Sequence, residues 1–94
     1  MPHSLLLAAT LAVLAHSAPS GWDYDSDCCG GHDCRPIAAD AVLEKPTAWE
    51  IRATGELIMK YSAKVSKDGD FHRCSYKGLD NSKTFCLYVP LRGV

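Results

Sequence analysis

The sequence predicts a small β-rich, mainly antiparallel, disulfide-stabilised domain with an irregular cysteine-rich N-terminal segment, following a signal peptide. Three observations predict this fold class: the chain holds five cysteines in 94 residues, opens with an apolar run, and continues from residue 37 in short apolar runs broken by turn residues. Disulfides are typical of small exported domains, and apolar runs of that kind are typical of β-strands.

The apolar opening has the composition of a secretory signal peptide. From Leu5 to Ala15 the only polar residue is Thr10, and the run is shorter than the ~20 apolar residues that span a bilayer. Small residues at Ala15 and Ser17 predict cleavage between residues 15 and 18, which assigns residues 1–17 to the signal peptide. A buried N-terminal helix is the alternative, because the opening carries no Lys or Arg.

The roughly 77 residues that remain suffice for one domain, but a hydrophobic core alone gives a chain of this size little stability. The domain divides into an irregular, acidic, cysteine-rich segment, residues 18–36, and a β-rich part, residues 37–94. Gly30 and Gly31 argue against a regular helix in the first segment. The formal net charge of −1 gives no indication of binding to nucleic acid. No transmembrane segment is expected in the mature chain.

Five short runs are the predicted strands, namely residues 41–43, 49–53, 56–59, 71–76 and 84–88. Turn-forming residues at 45–47, 54–55 and 67–70 separate them. Leu57, Ile58 and Tyr61 have helical spacing, so a short helix over residues 56–64 is the alternative to the third strand.

The last two strands are predicted to form a hairpin. A loop centred on Asp80 gives a register that places three pairs opposite each other: Cys74 and Cys86, His72 and Tyr88, Tyr76 and Thr84. Side chains alternate along a strand, so one face carries His72, Cys74, Tyr76, Cys86 and Tyr88. The other face is the predicted core, and it carries Phe71, Phe85, Leu87 and Val89 together with Arg73 and Ser75.

Five cysteines cannot all pair within one chain. The candidate disulfide residues are Cys28, Cys29, Cys34, Cys74 and Cys86. The favoured bridges join Cys74 to Cys86, and Cys34 to either Cys28 or Cys29, which are adjacent. The alternative is a bridge from the N-terminal cluster to the final hairpin, which would close a longer loop. The unpaired thiol is the expected covalent contact with a protein partner.

A metal site is the alternative role for the same region. Zinc binds thiolates and imidazoles, and the candidate ligands are Cys29, His32, Cys34, His72 and Cys74. Their spacing matches no standard zinc finger, and thiols in an oxidising compartment pair with each other more often than they bind metal. Copper is the other candidate metal, and it would require His16 as the first residue of the mature chain. The leading interpretation therefore contains no cofactor.

No catalytic residue is assigned, and no enzymatic activity is predicted. The redox-active spacing Cys-x-x-Cys is absent from the sequence. His72 and Cys74 share a predicted strand face, but a nucleophilic thiol also needs an orienting group and an oxyanion donor. The sequence identifies neither of these.

Several elements of the chain resemble a group of small uncharacterised exported proteins of alphaproteobacteria. They are Trp22, Cys28-Cys29 with Asp33-Cys34-x-Pro36, Thr54-Gly55-Glu56-Leu57-Ile58, Ser66-x-Asp68-Gly69-x-Phe71-His72-Arg73-Cys74 and Cys86-Leu87-x-Val89-Pro90. The resemblance implies a periplasmic or secreted protein and transfers no activity. The resulting expectation is an exported, disulfide-stapled binding or structural accessory protein of the bacterial envelope.

Overall fold

The computed structural model describes residues 16–30 and 32–91. The predicted signal peptide lies outside these residues except for its last two positions. Within the described residues the chain forms one short helix and seven strands: α1 Ser26–Cys29, β1 Asp33–Ile37, β2 Val42–Glu44, β3 Ala48–Ile51, β4 Leu57–Met59, β5 Lys64–Val65, β6 Phe71–Ser75 and β7 Thr84–Val89.

The strands form two sheets. One has four strands in the order β1-β6-β7-β5, and the other has three in the order β2-β3-β4. All pairings are antiparallel except that of β5 with β7. The predicted fold class, a β-rich and mainly antiparallel domain with disulfides, is confirmed.

Each of the five predicted strands is present, with ends shifted by at most two residues. The helix considered over residues 56–64 does not form, and its second half holds only a single 3-10 turn, Lys60–Ser62. Strands β1 and β5 are absent from the predicted set. β1 contains Pro36 and β5 has only two residues, and both lie at sheet edges, where a strand tolerates proline and can be very short.

The tight end of α1 depends on Gly30. Its N–H donates to the carbonyl oxygen of Ser26 at 2.8 Å. A Cβ atom at this position would lie 2.7 Å from the same oxygen, which is closer than van der Waals contact allows. Any other residue would therefore force the chain away from Ser26. This shift would also displace Cys28 and Cys29, which lie on α1.

The predicted hairpin register is confirmed at two of its three residue pairs. His72 lies opposite Tyr88, and Cys74 lies opposite Cys86. Beyond this point the pairing shifts, and Thr84 lies opposite Ser75 instead of the predicted Tyr76. The shift is a β-bulge, which places two residues of one strand opposite one of the other.

Both faces of the hairpin are buried, although only one was the predicted core. On the predicted face, Phe71 and Leu87 pack with Val42 and Ile51. On the other face lies a second core, formed by Ala18, Tyr24, Cys28, Cys29, Cys34, Cys74 and Tyr88. The N-terminal segment covers this second face, and that long-range contact is not visible in strand alternation. Phe85, predicted in the core, is 42% exposed next to the bulge.

Truncation of Ile51 tests the core between the two sheets. Ile51 is 2% exposed and Leu43 is 37% exposed. We expect Ile51→Ala to lower the free energy of unfolding by about 3 kcal/mol and Leu43→Ala to change it by only about 0.5 kcal/mol. Urea denaturation of both variants measures the difference, and equal losses would contradict the assignment of this core.

Candidate functional site

Two disulfides tie the N-terminal segment to the β6–β7 hairpin. Cys28 bonds to Cys86 across 58 residues of sequence, and Cys34 bonds to Cys74 across 40. The favoured pairing of Cys74 with Cys86 is therefore wrong, and so is that of Cys34 with Cys28 or Cys29. The alternative, a link from the N-terminal cluster to the hairpin, is confirmed.

The physical reason for the correction is the position of β1. Cys74 has a cysteine opposite it on both sides, Cys34 on β1 and Cys86 on β7. The hairpin alone offers only Cys86, which is why the sequence favours Cys86 as the partner of Cys74. With β1 paired to β6, Cys34 takes the bond to Cys74, and Cys86 bonds to Cys28 on α1.

Cys29 is the unpaired cysteine, so its place among the candidate disulfide residues is a second correction. Its side chain is buried beside the Cys28–Cys86 bridge, and its thiol faces the carbonyl oxygen of Tyr24 at 4.0 Å. A thiol in this position reaches a partner protein only after local opening of the core. The structure thus gives no support to a covalent contact through the odd thiol.

Most of the candidate zinc ligands are engaged in bonds or contacts with other protein groups. The sulfurs of Cys34 and Cys74 are bonded to each other, and metal binding requires thiolates. His32 stacks on Phe85 with ring centroids 3.4 Å apart. Both ring nitrogens of His72 have protein partners.

Two other groups of side chains converge closely enough to consider a metal, and their ligand atoms are also in use. One consists of Asp25, Asp27 and Cys28, and the other of Asp68, Asp70 and His72. In the first, Cys28 is in a disulfide. In the second, His72 and Asp68 are hydrogen-bonded to each other at 2.8 Å.

His72 lies at the centre of a buried hydrogen-bonded chain. Its Nδ1 is 2.8 Å from the hydroxyl of Tyr24, and its Nε2 is 2.8 Å from Oδ1 of Asp68. The neutral tautomer with a proton on Nε2 satisfies both bonds, because Nε2–H donates to Asp68 and the hydroxyl donates to Nδ1. Burial, followed by the charge of Asp68, raises the pKa of Tyr24 to about 12, which keeps that hydroxyl protonated.

The carboxylate of Asp68 accepts hydrogen bonds from three parts of the chain. Oδ2 accepts from the Ser20 hydroxyl and from the indole N–H of Trp22. Oδ1 accepts from His72, from the hydroxyl of Ser66 and from the backbone N–H of Asp70. Burial opposes the charge of this carboxylate, but the hydrogen bonds from His72, Ser20 and Trp22 outweigh it and hold its pKa far below the usual range.

This chain of hydrogen bonds holds the N-terminal segment on the hairpin. The His72 side chain is 0% exposed, and Trp22 makes edge contacts with the rings of Tyr24, His72 and Tyr88. A general acid or base must lie within reach of a substrate proton, and His72 is enclosed by protein. The arrangement supports a structural role for His72.

Arg73 forms a second buried polar group, on the other face of β6. Its guanidinium donates to the hydroxyl of Thr84 at 2.7 Å and to the carbonyl oxygens of Asp80 and Ser82. The carboxylate of Glu56 accepts from Thr84 and lies 3.6 Å from the guanidinium. Burial opposes the charge of Glu56, but the hydrogen bonds from Thr84 lower its pKa overall.

Two surface features remain open near these groups. The first, the β4–β7 groove, is an apolar groove of about 230 Å³ lined by Leu57, Ile58, Met59, Ser62, Thr84, Phe85, Cys86 and Leu87. The second, the arginine cavity, has a volume of about 350 Å³ and is lined by Ile37, Ala38, Ala41, Ile51, Arg52, Ala53, Arg73 and Asp80. They share no lining residue.

Most residues of the Asp68 and Arg73 groups, of the β4–β7 groove and of the arginine cavity are not predicted as functional from the sequence. Arg73 does carry a signal, because strand alternation places it on the predicted core face, where a cation needs partners. Asp68 lies in a predicted turn and Arg52 lies in the predicted strand 49–53, and neither position carries such a signal.

No protein-family model, curated protein or solved structure matches this chain. Over the part of the chain that the structure describes, no helix has the length and apolar character needed to cross a membrane.

Proposed function

We propose that this chain is an exported, non-catalytic binding domain of the bacterial envelope, and that the β4–β7 groove receives an extended segment of a partner protein. The observation that carries the proposal is the exposure of two large apolar side chains in the groove. Leu57 is 58% exposed and Phe85 is 42% exposed. Both side chains line the same groove, and large apolar side chains that are exposed together favour an interaction site.

The strands beside the groove favour an extended partner. β4 pairs with β3 on one side only, and β5 reaches β7 only at Tyr88 and Val89. In the described part of the chain, no strand pairs with Phe85 or Leu87 on the side away from β6, whereas the N–H of Thr84 already donates to Glu56. An extended peptide can add to such an edge through main-chain hydrogen bonds, with its side chains in the adjacent apolar groove.

The disulfides favour placement outside the cytoplasm. Two intrachain bridges persist in an oxidising compartment, whereas thiols in the bacterial cytosol are kept reduced. Both bridges hold the β6–β7 hairpin, so the β7 side of the groove is held by covalent bonds. A rigid site loses less conformational entropy on binding.

Photo-crosslinking in the envelope tests this proposal. A photoreactive amino acid at position 57 or 85 is expected to give a discrete adduct with one partner. Leu43 is also apolar and exposed, but it lies on β2, at the other edge of the three-stranded sheet, and position 43 is the matched control without an adduct. Leu57→Asp should abolish the adduct formed from position 85. The proposal fails if positions 43 and 85 give the same adducts or if neither gives any.

A further inference from the structure

The arginine cavity combines apolar walls with guanidinium groups. Ile37, Ala41, Ile51 and Ala53 supply aliphatic surface, and Arg52 and Arg73 supply positive charge. The volume of about 350 Å³ is within the range of small-molecule pockets, which begins near ~300 Å³. Apolar walls with a few polar groups placed among them are the usual composition of such pockets.

Arg73 gives the cavity a buried and well-oriented donor. Its side chain is 3% exposed, and bonds to Thr84, Asp80 and Ser82 fix the plane of the guanidinium. A guanidinium has more N–H donors than these three bonds use. The protein groups therefore set the orientation of the guanidinium, and N–H groups that these three bonds do not use remain on it.

Arg52 is the second cation, and it is free to move toward a ligand. It is exposed, and its side chain makes no ion pair with any residue in 16–30 or 32–91. The charged side chains that line the cavity are Arg52, Arg73 and Asp80. One positive charge is left over, which matches a ligand with a single negative charge.

We propose that the arginine cavity binds a monocarboxylate with a short aliphatic chain, with its carboxylate on Arg52 and Arg73 and its chain against Ile37, Ala41 and Ile51. A carboxylate matches the planar, forked geometry of guanidinium donors. The single excess charge disfavours a dianion such as a phosphate monoester. The site shares no residue with the β4–β7 groove and does not depend on the function proposed for it.

Titration of the folded, oxidised protein with hexanoate tests the proposal, with backbone amide NMR shifts as the readout. Saturable shifts are expected at residues 38–41 and 51–53. Hexanamide, which has the same chain without the charge, should bind at least about tenfold more weakly, because it lacks the charge-assisted hydrogen bonds. Equal affinity for hexanoate and hexanamide, or no saturable shifts with either, would overturn the proposal.

Variants at exposed positions separate binding from folding. Arg52→Ala should weaken hexanoate binding about tenfold, and Ala53→Asp should abolish it by placing a negative charge in the cavity. Lys45→Ala removes one cation elsewhere on the surface and should leave the affinity unchanged. Unaltered thermal midpoints show that the variants fold. If Arg52→Ala and Lys45→Ala bind hexanoate equally well, the carboxylate does not contact Arg52 and the proposal is wrong.

The carboxylate could belong to a free acid or to the C-terminus of a peptide. N-acetyl-alanyl-leucine and its C-terminal amide distinguish these sources. Tighter binding of the acetylated dipeptide than of hexanoate, with loss of binding in the amide, supports the site and assigns it to a chain terminus. Binding of hexanoate alone supports the site and assigns it to small organic acids.

Discussion

Replacing Cys28 and Cys86 together with alanine is expected to lower the free energy of unfolding by about 4 kcal/mol. The bridge joins residues 58 apart in sequence, and its loss frees the unfolded chain to adopt many more conformations. The Cys34–Cys74 bridge spans 40 residues, and its removal should cost a similar amount, because the entropy of loop closure varies only slowly with length. Urea denaturation with linear extrapolation measures both losses.

The loss is large compared with the total stability of a small domain, which is about 5–15 kcal/mol. Cys29→Ala is the matched control, because it removes a buried sulfur from the same core without breaking a bridge. Its cost should be about 1 kcal/mol. If Cys29→Ala destabilised the protein as much as the loss of Cys28 and Cys86, Cys29 would have to be part of the disulfide framework in solution.

Local patterns in the sequence predict the hairpin well. Side-chain alternation and a central loop suffice to place Cys74 opposite Cys86 and His72 opposite Tyr88. Short-range signals of this kind depend on neighbouring residues, which the sequence displays directly. The bulge near Phe85 is not predicted, because a loop of this length does not determine where a strand pair loses its register.

The disulfide partners could not be predicted in the same way, because they depend on a strand from elsewhere in the chain. β1 lies in the segment expected to be irregular and contains Pro36, which lowers its resemblance to a strand. Once β1 pairs with β6, the partner of Cys74 changes from Cys86 to Cys34. Asp68 presents the same difficulty, because its donors Ser20 and Trp22 are 48 and 46 residues away in sequence.

Asp68→Asn is expected to destabilise the domain by about 3 kcal/mol and to weaken its response to acid. An amide cannot accept from all the donors that surround this carboxylate, and its NH₂ group would face either the indole N–H of Trp22 or the His72 side of the site. Asp70→Asn is the control, because Asp70 is an exposed carboxylate two residues away, and its hydrogen bond to Asp68 comes from its backbone N–H, which the substitution keeps. Its substitution should change the free energy of unfolding by about 0.5 kcal/mol or less.

The pH dependence follows from the low pKa of Asp68 in the folded protein. An unfolded aspartate has a pKa of about 3.9, so in acid the unfolded chain binds a proton that the folded domain does not. The stabilisation is fully present above about pH 4 and is lost as the pH falls below it. Hydrogen bonding from Tyr88 and from Arg35 also lowers the pKa values of Asp25 and Asp80, so Asp68→Asn should reduce the acid slope without abolishing it. Unfolding free energies measured between pH 7 and pH 2 would contradict this role for Asp68 if the wild type and Asp68→Asn lost stability in parallel.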